Sequence, residues 1–323
     1  MKICNVFFIH TIFQKDIADS IIENDLSYYN QINIAIINKE GDMSINLESE
    51  KWTNIHILTP SIGNSWTGLT PIHCKIVCNK IINNYDEHKI YLHMSNINHP
   101  LANTFSKYID NEFIYYIQYP EGWANLVSIK NKHNHFFKSL LKYFYGLLQC
   151  NPYNFIGFDY GAPHLASKML SYNHIFKLYK KSQATLHSNR VFIIGHLIKS
   201  NIIYNNYIST LKSILYNNPK FKFFYKPHPR DENFLDELIG IENLKVLESE
   251  QSAESLVFEY RCKKVLGFTS SSLINLKMMD NNSFEIYSIN PINFHDKGSG
   301  RRSEILKHLY SHGVTDLKPN YCL

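Results

Sequence analysis

Short apolar runs rich in β-branched residues alternate with longer stretches of helical spacing along the first half of the chain. This alternation predicts helices at residues 16–24 and 71–83, and strands at residues 5–9, 32–37, 55–58, 89–94 and 112–118. Strands separated by helices are typical of βαβ units. We therefore expect a parallel sheet in this half of the chain.

A polar, weakly patterned stretch at about residues 171–189 interrupts the alternation, which then begins again. The pattern beyond it predicts strands at residues 190–194, 221–225 and 263–268, and helices at residues 204–217, at 231–239 and after Ser270. We therefore predict two open α/β domains, residues 1–175 and 190–323, with a linker at about 176–189. Ligands of such sheets bind outside the carboxyl ends of the strands, so those ends are where we look for chemistry.

The composition is that of a folded protein. Of the 323 residues, 44% are hydrophobic and 14% are aromatic, which excludes an intrinsically disordered chain. A net charge of +5 over this length is too small to predict nucleic-acid binding. The six cysteines form neither a CxxC pair nor a dense disulfide scaffold, so we expect a reducing, cytoplasmic location.

No stretch approaches the ~20 uninterrupted apolar residues that cross a bilayer. Residues 1–13 are apolar but lack a small-residue cleavage site, and we interpret them as a buried strand that leads into a helix. Residues 136–148 and the basic stretch at Arg301 and Arg302 would permit peripheral attachment to the inner membrane face. A solvated helix face explains both segments equally well.

An acidic residue followed by glycine stands directly after the strand predicted at residues 112–118. Gly122 permits a tight turn, and the carboxylate of Glu121 would then be exposed where a ligand binds. Such a carboxylate is suited to act as a general base. An ordinary surface glutamate in a turn is the alternative interpretation.

A histidine between two prolines follows the strand predicted at residues 221–225. Pro227 and Pro229 restrict the backbone and fix the direction of the His228 ring. With Lys226 and Arg230 close in sequence, this imidazole is suited to contact a phosphate or to protonate a leaving group. A rigid loop that merely exposes a histidine is the alternative.

Three consecutive serines, residues 270–272, lie between a predicted strand and a predicted helix. Hydroxyl and backbone N–H groups at a helix N-terminus bind anions, whereas capping needs only one serine. We therefore favour a phosphate site at Ser270 and Ser271, with the register open by one residue. Neither a GxxxxGK[ST] nor a GxGxxG motif is present, so a P-loop kinase and a dinucleotide oxidoreductase both lose support.

In order and rough spacing, these three motifs resemble those of bacterial sialyltransferases, which share acidic-Gly, His-Pro and Ser-Ser/Thr motifs. The run from Glu121 to Leu126 is most similar to the lipooligosaccharide sialyltransferase family, with the polysialyltransferase family a near second. One departure is Pro120, which replaces the first of the two acidic residues usual before the glycine. The resemblance implies an α/β fold of GT-B architecture, with two Rossmann-like domains facing across a cleft.

The resemblance also implies inverting, metal-independent transfer of sialic acid from CMP-Neu5Ac, and a role for each matched residue. Glu121 would deprotonate the acceptor hydroxyl, and His228 would assist departure of the CMP phosphate. Ser270 and Ser271 would hold that phosphate. Further substrate-binding candidates lie beside the motifs: Gly122, Lys226 and Pro229.

An acidic residue that binds the nucleotide ribose is a further implication of the resemblance. Glu254 has the corresponding placement, with Glu248 and Glu250 as competitors. Gly195, which closes the first strand of the second half, would line the nucleotide site. We regard His196 as incidental.

The acceptor that the resemblance implies is a terminal galactoside or sialoside on a lipid-linked surface glycan, which would be a lipooligosaccharide, an O-antigen or a capsule. We expect no nucleic-acid partner, no metal and no other cofactor, since no DxD-type motif stands at a comparable strand end. The linkage and the number of residues transferred stay open. Alternatives are a GT-B transferase with another donor, such as CMP-Kdo, and a non-catalytic nucleotide- or glycan-binding protein.

Overall fold

Two units make up the chain, Met1–Ser171 and Tyr172–Leu323. The computed structural model describes residues 2–9, 11–24, 30–38, 47, 49–58, 70–94, 114–118, 168–169, 185–196, 198, 201–228, 237–238, 240–280, 283–289, 306–307, 309–317 and 323. Most of the predicted linker at 176–189 lies outside these residues, and the domain limits inferred from the sequence stay a prediction.

The first unit contains a parallel sheet in which the strand order is β3-β2-β1-β4-β5-β6. Its elements, in chain order, are β1 (Lys2–Ile9), α1 (Ile12–Asn24), β2 (Ile32–Asn38), β3 (Asn54–Leu58), α2 (Thr70–Asn84), β4 (His88–Met94), β5 (Ile114–Gln118) and β6 (Lys168–Met169). The helix α1 begins earlier than predicted because the Thr11 hydroxyl accepts a hydrogen bond from the backbone N–H of Gln14, 3.2 Å away.

The second unit contains another parallel sheet, with the order β12-β11-β10-β7-β8-β9. Its elements are β7 (His187–Ile194), α3 (Asn201–Asn217), β8 (Lys222–Lys226), β9 (Leu244–Val246), α4 (Ala253–Glu259), β10 (Cys262–Gly267), α5 (Ser271–Met279), β11 (Glu285–Ser288) and β12 (Thr315–Asp316). In both sheets the first strand of the unit lies at the centre. The predicted α/β class, with parallel sheets built from βαβ units, is confirmed.

Each sheet buries one alternating set of strand side chains against a helix. In the first unit, Cys4, Val6 and Phe8 of β1 share a core with Val77 and Ile81 of α2. Residues 4–9 of β1 are all buried, which matches the continuous apolar run that predicted this strand.

In the second unit, Val191 and Ile193 of β7 and Phe223 and Tyr225 of β8 share a core with α3, which contributes Leu211. This packing holds the central strands in place, and so fixes the positions of the first residues of the loops that follow them.

Buried polar side chains form hydrogen bonds between the central strands of the first sheet. The Asn5 side-chain amide donates to Asn33 Oδ1 at 3.0 Å and to Gln31 Oε1 at 2.8 Å. His93 Nε2 lies 3.4 Å from Asn5 Oδ1, and the His93 ring stacks on Phe7 with centroids 4.1 Å apart. A polar group in this position needs partners, because an unpaired one would cost free energy on burial.

Several elements differ from the sequence-based expectation. β7 begins at His187, inside the predicted linker, and β9, β11, β12 and α4 were not predicted. β9 is only three residues long and partly exposed, and α4 is a seven-residue helix of about two turns, so each is too short to display a repeated hydrophobic pattern. Of the helix predicted at residues 231–239, only 237–238 are described, and they form a turn.

Truncation of a core side chain of α3 should destabilise the second unit. Leu211 is fully buried, so Leu211→Ala should lower the free energy of unfolding by about 2–5 kcal/mol through lost burial and a residual cavity. Tyr216, on the same helix, is 68% exposed, and Tyr216→Ala should change that free energy by no more than about 0.5 kcal/mol. Urea unfolding monitored by circular dichroism measures both values, and equal effects would contradict the described core.

Candidate functional site

The strand order of the second sheet reverses between β7 and β10. From β7 the chain adds β8 and β9 on one side, and then crosses to β10, β11 and β12 on the other. In open α/β sheets, ligands bind outside the carboxyl ends of the strands at such a switch point. The loops after β7, β8 and β10 are therefore the first place to examine. They contain most of the candidate residues that the structure describes in this unit: Gly195, Lys226, His228, Ser270 and Ser271.

Gly195 allows the backbone after β7 to approach the backbone before His228. The Gly195 N–H donates to the carbonyl oxygen of Lys226 at 2.8 Å. A Cβ atom at position 195 would lie 2.7 Å from both the Lys226 oxygen and the His228 amide nitrogen, and 2.5 Å from the Tyr225 hydroxyl. No side chain fits at such distances, so glycine is required here for close approach. Gly195 and His228, which were predicted separately as a residue lining the nucleotide site and a catalytic residue, are adjacent, and the His228 side chain is half-buried.

Lys226 is buried and makes a specific contact with the backbone. Its Nζ donates to the Ser249 carbonyl oxygen at 2.7 Å, which ties the end of β8 to the loop that follows β9. An ammonium group has three donors, so one such bond leaves capacity for others. Its predicted contact with substrate stays a prediction.

Glu254 occupies the first turn of α4. Ser252 caps this helix, since its hydroxyl accepts from the Ser255 N–H at 3.1 Å. The Glu254 side chain is buried, and its Oε1 accepts from the Asn275 side-chain amide at 2.7 Å. A carboxylate near a helix N-terminus is stabilised by the helix dipole. Asn275, in α5, was missed by the sequence analysis because no motif marks it.

The two competing acidic residues differ from Glu254 in exposure. Glu248 and Glu250 are both exposed on the loop between β9 and α4, whereas Glu254 is buried and held by a neighbouring helix. Of these three carboxylates, Glu254 has the most restricted position.

Ser270 is the N-cap of α5, and Ser271 is the first residue of that helix. The Ser270 hydroxyl accepts from the Ser272 N–H at 3.3 Å. A serine hydroxyl that accepts one bond retains its O–H as a donor. The side chains of Ser271 and Ser272 are half-exposed in the first turn, so all three serines keep access to solvent. The structure thus places Ser270 in the capping position.

His196 and Phe268 join the loops after β7 and β10. Their rings meet edge to face, with centroids 5.1 Å apart and planes at 86°. Phe268 is buried and His196 is half-exposed. The Phe268 carbonyl accepts from the Ser288 hydroxyl at 3.0 Å, which also ties this loop to β11. The sequence analysis regarded His196 as incidental, because nothing in the sequence reveals that β7 and β10 are neighbours.

Charged residues at the opposite, amino-terminal edge of the same sheet neutralise one another. The Glu285 carboxylate forms an ion pair with Lys264 Nζ at 2.5 Å and another with Lys263 Nζ at 3.0 Å. The hydrogen bond from Lys264, helped by Lys263, lowers the pKa of Glu285 to about 2, although burial opposes the shift. These charges form a structural ion-pair group distinct from the loops at the carboxyl edge.

Some predicted positions lie outside the described residues: Glu121, Gly122 and Pro229, together with residues 136–148, Arg301 and Arg302. Their assigned roles stay predictions. Within the part of the chain that the structure describes, no helix combines the length and apolar character that a membrane crossing requires.

A model of the alpha-2,8-polysialyltransferase family matches residues 5–284 of the chain. The match begins within β1 and ends at the residue before β11, so it includes the first sheet and the strands β7 to β10 of the second. No curated protein sequence gives a significant match. Of the two families that the motifs resemble, the match is to the one ranked second, and the predicted group of bacterial sialyltransferases is confirmed.

Two bacterial sialyltransferases share the fold. The GT-B domain of the Photobacterium damselae enzyme aligns with a TM-score of 0.58 and 12% identity, over 99% of this chain and 98% of that chain. The alpha/beta-galactoside alpha-2,3-sialyltransferase of Photobacterium phosphoreum aligns with a TM-score of 0.54 and 15% identity, over 98% of each chain. At these identities the likeness shows the fold alone, and the predicted GT-B fold is confirmed.

The fold is not limited to transferases. A Listeria monocytogenes protein described as a UDP-N-acetylglucosamine 2-epimerase aligns with a TM-score of 0.53 and 7% identity, over 89% of this chain and 79% of that chain. Fold alone therefore does not separate epimerases from transferases. The family match makes that distinction.

A methyl group at position 195 should disturb the His228 loop. Gly195→Ala should lower the free energy of unfolding by about 1–3 kcal/mol, because the new Cβ would overlap backbone atoms that cannot move independently of the sheet. Gly267→Ala is the matched control at the end of β10, where the new Cβ would meet only the side chain of Leu273, at 3.1 Å. Urea unfolding compares the two variants, and a Gly195→Ala protein as stable as Gly267→Ala would contradict the close approach.

Proposed function

This chain belongs to the alpha-2,8-polysialyltransferase family, and from that premise we propose that it transfers sialic acid from CMP-Neu5Ac to a hydroxyl group of a surface glycan. The family match makes the chain a sialyltransferase of GT-B fold, with a nucleotide-sugar donor and a glycan acceptor. The donor, the stereochemical course and the acceptor are the proposed parts.

A terminal sialoside is the acceptor that the family description supports, with an α2,8 linkage as the product. A terminal galactoside is the second candidate, supported by the description of the Photobacterium phosphoreum enzyme of the same fold. We propose a lipid-linked bacterial glycan as the carrier of either acceptor, reached by peripheral contact with the inner membrane.

The chemistry of a sialyl donor supports the site at the carboxyl edge of the second sheet. Loss of CMP from the anomeric carbon gives an oxocarbenium-like transition state, and negative charge builds on the departing phosphate. The observation that carries the proposal is that His228 follows β8 while the Ser270 cap and the N-terminus of α5 follow β10, the two strands on either side of β7. Donors preorganised around a developing charge are worth about 3 kcal/mol each to the transition state.

The remaining parts of the proposed mechanism follow from the assigned roles. Glu121 removes the proton of the acceptor hydroxyl, which then attacks the face opposite to CMP and inverts the configuration. Glu254 binds the ribose, and its contact with Asn275 holds it for that task. With one phosphate to neutralise, an imidazole, hydroxyl groups and a helix terminus replace a divalent ion.

The test of the proposed function is an assay of the purified protein with CMP-Neu5Ac and, in parallel, CMP-Kdo. Acceptors should include sialosides and galactosides, and linkage analysis of the product should follow. Release of CMP with formation of an α2,8-linked product is the expected result. Exclusive use of CMP-Kdo, or no transfer from either donor, would overturn the proposal.

Removal of either proposed catalytic side chain should abolish transfer without unfolding the protein. His228→Ala and Glu121→Ala should each lower the rate of sialyl transfer by about 10²–10⁴-fold, because general acid–base assistance is lost. His187→Ala, at the amino end of β7, is the control and should retain the wild-type rate. Near-normal transfer by His228→Ala or Glu121→Ala, with circular dichroism unchanged, would refute the role of that residue.

Metal chelation should have little effect on the enzyme. We expect the rate of transfer to be largely unchanged after treatment with EDTA, because the proposed mechanism assigns phosphate neutralisation to side chains and a helix terminus. The measurement compares EDTA-treated protein with and without added Mg²⁺. A strict loss that Mg²⁺ restores would disprove the metal-free mechanism.

A further inference from the structure

His196 lies at the switch point of the second sheet. It follows Gly195 directly at the end of β7, and its ring contacts Phe268 in the loop after β10. These are the two strands between which the order of the sheet reverses. A ligand bound at this switch point would therefore have the His196 side chain at its border.

The packing of His196 leaves it accessible while fixing its position. Phe268 is almost completely buried, so it supplies a rigid base and has no surface of its own to offer a ligand. The His196 ring meets it edge to face and remains half-exposed. This edge-to-face contact with a buried aromatic ring restricts the directions in which the imidazole can point.

The loop that contains Phe268 leads directly into the N-terminus of α5. Phe268 precedes the helix cap Ser270 by two residues, so the ring that supports His196 belongs to the same loop as the serines. On the opposite side of β7, the His228 backbone contacts Gly195. His196 is thus flanked along the sheet edge by the two loops to which the proposed mechanism assigns the donor phosphate.

We propose that His196 is a further donor-binding residue, whose ring N–H donates a hydrogen bond to the phosphate of the nucleotide. The inference rests on the proposed function, because it takes a cytidine monophosphate sugar as the donor. Under it, the phosphate is held between two imidazoles, from the loops after β7 and β8, and by the serines that begin α5.

Stacking of the His196 ring on the cytosine base is the competing role, and two substitutions separate them. His196→Phe keeps an aromatic ring against Phe268 but removes the N–H donor. His196→Gln removes the ring and keeps an N–H donor. His187→Phe, at the opposite end of the same strand, is the matched control.

The experiment measures CMP and cytidine binding to each full-length variant by calorimetry, with cytidine raised to saturating concentrations. His196→Phe should weaken CMP binding by roughly 10-fold or more, since a hydrogen bond to a charged group is lost, and should leave cytidine binding unchanged. His196→Gln should recover part of the CMP affinity, and His187→Phe should match the wild type. Unfolding midpoints of the variants establish that each is folded.

Each result either supports the inference or overturns it. Equal weakening of CMP and cytidine by His196→Phe, full CMP affinity in that variant, or no recovery by His196→Gln would overturn it. If the wild-type protein binds CMP and transfers sialic acid, and the His196→Phe variant does so equally well, the role of His196 is refuted while the proposed function stands. A wild-type protein that neither binds CMP nor transfers sialic acid would remove the proposed function with it.

Discussion

The close contact between two backbone segments at the carboxyl edge of the second sheet is the constraint on which the site depends. The Gly195 N–H donates to the carbonyl of Lys226, the last paired residue of β8, so the ladder between these strands extends one residue beyond the end of β7. A side chain at 195 would push the His228 backbone away. The backbone at His228 is therefore held by the sheet. The core of that sheet is rigid, because Val191 and Ile193 are fully buried.

Buried hydrogen bonds connect the other loops of this edge to their neighbours. Lys226 reaches the loop after β9, and the carboxylate of Glu254 is joined to α5 through Asn275. Such bonds are costly to break, because burial removes water as an alternative partner. The arrangement is therefore preorganised before any ligand binds, which suits an enzyme of this family, since preorganised dipoles need no rearrangement when charge develops.

The periodic features of the fold were predictable from sequence, whereas contacts between distant segments were not. Short apolar runs located the central strands. The loop with His228 could be placed after β8 because its prolines end the strand pattern. The contact of His196 with Phe268 depends on the pairing of β7 with β10, and the bond from Asn275 to Glu254 depends on how α4 meets α5. Neither contact produces a recognisable pattern in the sequence near the residues that make it. Edge strands such as β9 escaped detection because three partly exposed residues are too few to show a repeated alternation.

The asparagine pair in the first sheet has a consequence for how β1 and β2 are aligned. Asn5 stands opposite Asn33 in the observed pairing. Sliding β2 by two residues would keep every side chain on its original face, and would preserve most of the apolar contact area. It would also bring Ala35 opposite Asn5, and would deprive a buried amide of its acceptor at a cost of about 1–3 kcal/mol. The Asn5–Asn33 pair therefore disfavours this slide, although the slide leaves every side chain on its original face.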